Sequence, residues 1–122
     1  MITQLPESSG GAIGFLIRGK LTDEDYRETL IPVLEDAIKS EKKIGLLFQM
    51  EDFEGWTAHG AWDDLISWPK FRSVDRLAIL IDENWHELVS WLFTVFAKVT
   101  GIEIRFFEKG EQAEAWYWLR MP

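Results

Sequence analysis

The sequence predicts a single α/β domain: a mixed, mainly parallel five-stranded sheet with about four helices, in the order β-β-α-β-α-β-α-β-α. Three observations predict it. Two continuous apolar runs, 44–50 and 77–81, have the composition of central parallel strands buried on both faces. Stretches of helical periodicity separate the strand-like runs, which is the pattern of crossover connections. The 122 residues, 47% of them hydrophobic, hold no linker, repeat or low-complexity tract, so all elements are expected to share one core.

The elements follow in order. Residues 2–5 read as a short first strand, ended by Pro6 and the turn Ser8-Ser9-Gly10-Gly11. Residues 12–18 read as a second strand with Ile13, Phe15 and Ile17 on one face, and the pair is expected to form an edge hairpin. Thr22 then has the side chain of a helix N-cap, and Asp23, Glu24 and Asp25 place negative charge in the first turn, where the helix dipole favours it. Tyr26, Leu30, Val33, Leu34, Ala37 and Ile38 form that helix's apolar stripe. Pro32 interrupts it; an interior proline costs about 3 kcal/mol, which predicts a kink or a fresh start. After the strand at 44–50, residues 51–65 read as a turn that opens a helix over 57–68. A further helix is expected over 83–99 and a last one over 110–119. Residues 102–106 alternate in polarity, as an edge strand with one wetter face does.

Composition narrows the function classes. The net charge of −8 and pI near 4.7 argue against nucleic-acid backbone binding and against docking to anionic lipid headgroups. No apolar run approaches the roughly 20 residues of a bilayer span, so no integral membrane association is expected. The amino-terminal residues show no signal-peptide pattern, and a cytoplasmic protein is expected. Cysteine is absent, which excludes disulfides, thiolate catalysis and cysteine metal sites. Seven tryptophans exceed what a core this small requires, and tryptophan favours surfaces with one apolar and one wet side.

Turns at the carboxyl ends of strands are where open α/β sheets hold ligands. The segment 51–65 is such a turn, carrying Trp56 and Trp62 among glycines and acids. Thr57 has two readings there. As an N-cap its hydroxyl accepts from the free amides of the helix start; as a phosphoacceptor it would place phosphate on the same amides. Glu51, Asp52, Glu54, Asp63 and Asp64 would repel that dianion, so the cap is favoured. His59 and Asp63 share a helix face, but one histidine with carboxylates is a thin metal set, and an ion pair is favoured; no metal or cofactor is expected. Asp63 and Asp64 diverge by about 100° on a helix and cannot flank one bond. No serine triad, P-loop or G-x-G-x-x-G is present, and the expectation is a protein that is not an enzyme.

Several runs resemble the SpoIIAA-like bacterial proteins of the STAS/SEC14 group. They are Gly19-Lys20-Leu21-Thr22-Asp23-Glu24-Asp25-Tyr26, Asp52-Phe53-Glu54-Gly55-Trp56, Ala61-Trp62-Asp63-Asp64, Arg76-Leu77-Ala78-Ile79 followed by Trp85, and Arg105-Phe106-Phe107 before Ala115-Trp116. The resemblance covers nearly the whole chain and implies a small α/β fold with no known catalytic chemistry. Anti-sigma-factor antagonists of related fold carry a phosphorylatable serine in an Asp-Ser-Ser-Gly-like turn. Here the turn reads Gly55-Trp56-Thr57-Ala58, with Trp56 in place of the small residue. The SEC14 side of the group implies a hydrophobic ligand, in a site smaller than that of a full lipid-transfer domain.

The expected helix over 83–99 carries the strongest lead. On a wheel of about 100° per residue, Leu88, Val89, Leu92, Phe96 and Val99 form a core stripe, while Trp91, Phe93 and Val95 widen the apolar arc to roughly 200°. Either neighbouring helices cover the flanks, or the arc forms a groove with the helix bearing Trp62 and Trp68. The functional expectation is a non-catalytic binding or regulatory domain. Trp56, Trp62, Trp68, Trp91, Phe93 and Val95 would meet a hydrophobic small molecule or a protein partner, a homodimer being one form of the latter. A phospho-regulated, anti-sigma-factor-antagonist-like signalling protein acting at Thr57 and a structural homodimer module are the alternatives.

Overall fold

Alternation decides how the central strands are buried. In a computed structural model of the chain, described for residues 1–41, 43–56, 73–81, 94, 98 and 101–121, the strands are β1 (Ile2–Gln4), β2 (Ala12–Leu21), β3 (Ile44–Trp56), β4 (Val74–Leu80) and β5 (Glu103–Phe107). They form one sheet in the order β1-β2-β3-β4-β5. β1 runs antiparallel to β2, and every other neighbouring pair is parallel. The mixed sheet, the edge hairpin, the central place of 44–50 and the edge place of 103–107 are as expected.

Successive side chains of β3 and β4 point to opposite faces. Leu46, Phe48, Leu77 and Ile79 join Ile13, Phe15 and Ile17 in one apolar layer, which Leu30 and Leu34 complete from above. Leu47, Ala78 and Leu80 enter a second layer with Ala115, Trp116, Trp118 and Leu119. Both faces of the sheet are therefore dry, and the continuous apolar runs are explained.

Helix follows β2 in three pieces: α1 (Asp23–Asp25), a π-helical turn (Tyr26–Leu30) and α2 (Ile31–Ser40). Thr22 caps the start as expected. Its hydroxyl accepts from the Asp25 amide, and the Asp25 carboxylate accepts from the Thr22 amide, both at 3.1 Å. The wide turn resolves the Pro32 anomaly. The Ile31 amide reaches back to the Tyr26 carbonyl, and α2 then begins afresh with Pro32 in its first turn, where the missing N–H is least costly.

The last helix, α3 (Gln112–Leu119), lies close on the opposite face of the sheet. Small residues make that approach possible. A Cβ on Gly14 would stand 2.6 Å from Trp116 Cη2, and one on Gly45 would stand 3.0 Å from Leu119 Cδ2. Two arginines pin the end of α3. Arg76 donates to the carbonyls of Trp118 and Met121 at 2.8 and 2.7 Å, satisfying groups that a helix end leaves open. Arg120 lies 4.8 Å from the Trp116 ring centroid and donates to the Glu7 carbonyl and Ser9 Oγ.

Two expectations are corrected. Residues 51–56, read as a turn, are strand: β3 runs on to Trp56, and β2 runs on to Leu21 beside it. The polar residues Glu51, Asp52 and Glu54 masked the continuation, because this part of β3 has no apolar alternation. About four helices were expected. Among the described residues, helix is found at 23–40 and 112–119, and at the single positions Thr94 and Lys98. The expected helix over 57–68, and the rest of that over 83–99, lie outside the described residues. No helix among the described residues is long and apolar enough to cross a membrane.

Candidate functional site

The carboxyl ends of β2 and β3 extend past the rest of the sheet. The β3–β4 pairing stops at Gln49 and Leu80, whereas β3 stays paired with β2 as far as Leu21 and Trp56. The result is a two-stranded ribbon at the end of the sheet where α/β folds bind ligands. Its register is not uniform. β2 advances from Arg18 to Lys20 while β3 advances from Glu51 to Gly55. The bulge is built from two residues in left-handed backbone conformation, Gly19 (φ 69°) and Asp52 (φ 48°). Glycine takes this conformation freely; aspartate is one of the few other residues that tolerates it. Phe53, 4% exposed, anchors the bulged strand in the core.

A polar cluster sits at the base of this ribbon. Arg18 Nη2 donates to Glu51 Oε2 at 2.7 Å, and Gln49 Nε2 donates to Glu51 Oε1 at 2.9 Å. Both carboxylate oxygens are thus occupied. The Arg18 hydrogen bond, with that from Gln49, holds the Glu51 carboxyl below the usual glutamate range against an opposing push from burial. Glu51 in turn raises the Arg18 guanidinium above its ordinary value. Nearby, burial works to raise Asp25, but the Thr22 amide and hydroxyl and the Met1 ammonium at 3.3 Å outweigh it and keep the carboxyl low. This cluster was not among the residues singled out from the sequence. Arg18 and Glu51 each follow an apolar run, and the parallel register that pairs those runs places them opposite each other.

Of the residues singled out, Trp56 is the last of β3 and pairs with Leu21. Thr57, Trp62, Trp68, Trp91, Phe93 and Val95 lie outside the described residues, as do His59, Asp63 and Asp64. Among the described residues, no three histidine or acidic side chains come together in a way that would hold a metal.

The sheet order, the dry double-faced strands and the aligned motifs converge on one comparison: the SpoIIAA-like family matches residues 12–120. The chain belongs to the SpoIIAA-like family. A solved relative shares its architecture. The crystal structure of an uncharacterised DUF3478-family protein with a SpoIIAA-like fold, from Shewanella loihica PV-4, superposes with a TM-score of 0.73. It is 33% identical, over 97% of this chain and 93% of that one. No curated protein matches the sequence. The SpoIIAA-like membership therefore carries the fold.

Proposed function

We propose that this SpoIIAA-like protein is a non-catalytic binding domain that takes a hydrophobic, lipid-like ligand on an apolar surface centred on Trp91. One observation carries the reading. Thr94 and Lys98 are helical and exposed, and in the helix that the sequence predicts over 83–99 they would mark the solvent side. On a wheel of about 100° per residue, Trp91 would fall about 20° from Lys98 and about 60° from Leu88, the nearest edge of the core stripe. A tryptophan in that position is costly to leave in water and is gained back when a ligand or partner covers it. On the same wheel Val95 would lie about 40° from Trp91 and extend the surface, whereas Phe93 would fall about 160° away, past the far edge of the core stripe; Trp62 and Trp68 are the expected far wall.

The ribbon of β2 and β3 carries the chain out to Trp56, past the last β3–β4 pair. The test is retention of an apolar probe. A fluorescent fatty-acid analogue should bind the wild-type protein saturably, and Trp91→Ala and Val95→Ala should each weaken it several-fold without changing the circular dichroism spectrum. Unchanged binding in both variants would remove this surface from consideration.

A further inference from the structure

We infer that the cleft between α2 and the β1–β2 hairpin is a binding site for a small organic cation, an ammonium group carried on a short apolar body. The site is separate from the surface proposed above and does not depend on it. The cleft has a volume of about 470 Å³, within the range of small-molecule sites.

Its origin is visible in the chain path. β1 ends at Gln4, and Leu5 crosses to the other face of the sheet, where it packs with the Trp116 layer over Gly14. Ser8 and Ser9 then hold the hairpin turn against Gly14 and Ala12. Nothing from β1 therefore continues under the second half of α2, and the helix overhangs a gap at the sheet edge. Ile13 forms the floor, with Val33 and Ala37 of α2 as the apolar wall.

Among the described residues, the charged side chains that line the cleft are both acidic. Asp36 and Glu41 line the cleft, and neither takes part in a salt bridge among the described residues. The carboxyl end of α2, Ser40–Glu41, opens into the same space, adding the negative end of the helix dipole. Two carboxylates and a helix carboxyl terminus above an apolar floor complement a cation with a hydrocarbon tail and repel the matching anion. The net charge of −8 adds a long-range pull of the same sign.

The experiment is an amide-resolved NMR titration of the full chain with hexylammonium, hexanoate and hexanol. Hexylammonium should shift the amides of Ile13, Val33 and Ala37 saturably, with hexanol at least tenfold weaker and hexanoate without effect. Asp36→Asn/Glu41→Gln, at two surface positions, should weaken hexylammonium at least tenfold. Ser40→Trp should block the cleft while leaving the remaining spectrum dispersed. Equal affinity for all three probes, shifts confined to other residues, an unchanged affinity in the double variant, or no shift up to the solubility limit would each overturn the assignment.

Discussion

Replacing Gly14 with alanine places a methyl group where the structure has no room for one. The new Cβ would stand 2.6 Å from Trp116 Cη2, 2.7 Å from Trp116 Cζ2 and 3.1 Å from Leu5 Cδ1. Trp116 cannot yield easily: it is 6% exposed, and Arg120 lies over its ring. Overpacking of this kind costs about 1–3 kcal/mol. Alanine also restricts the unfolded chain, which returns about 0.4–1 kcal/mol. The net loss is therefore about 1–2 kcal/mol, or roughly 4 °C per kcal/mol in Tm for a domain of this size. Urea denaturation of wild type and variant measures it directly. A double-mutant cycle supplies the control: in a Trp116→Leu background the methyl no longer meets the ring, and Gly14→Ala should cost little or nothing. A Gly14→Ala protein as stable as wild type would refute the claim that this glycine is the shelf on which α3 docks.

Arg76→Leu should destabilise by about 1.5–3 kcal/mol, because its two charged hydrogen bonds close the end of α3; thermal unfolding checks it, and Arg76→Lys should recover only part. The Arg18–Glu51–Gln49 cluster predicts a pH effect. Because the folded Glu51 carboxyl lies below its unfolded value of about 4.3, its contribution is full above that pH and is lost as pH falls through the folded value. The urea midpoint should therefore drop below about pH 4.5, and Glu51→Gln should flatten that drop. Asp52→Gly should be neutral or stabilising and Asp52→Val destabilising by about 1–2 kcal/mol, since φ at this bulge is 48°. Equal stabilities for the two Asp52 variants would show that the bulge does not hold.

The apolar periodicities carried most of the sheet. Ile13, Phe15 and Ile17 alternate because one face of β2 is roofed by Leu30 and Leu34, and the unbroken run from Ile44 marks a strand covered on both sides. Pro32 was legible as an interruption, but its remedy, a π-helical turn upstream, leaves no compositional mark. The strand from Glu51 to Trp56 was illegible for a related reason. Its stability comes from pairing with Lys20 and Leu21 across a bulge and from the buried Phe53, without an alternating apolar pattern, so its sequence looks like a turn. The Arg18–Glu51 contact depends on register between segments 33 residues apart, which single-strand patterns do not encode. The cleft beside α2 likewise depends on where Leu5 leaves its face of the sheet.

The central claim is that the surface around Trp91 binds a hydrophobic ligand. Native mass spectrometry on wild-type and Trp91→Ala protein, both purified without detergent, tests it most directly. The wild type should carry a non-covalent added mass of a few hundred daltons, lost on denaturation and absent from the variant. An unadorned wild-type monomer, a ligand-free species at twice the chain mass, or an identical adduct on both proteins would contradict it.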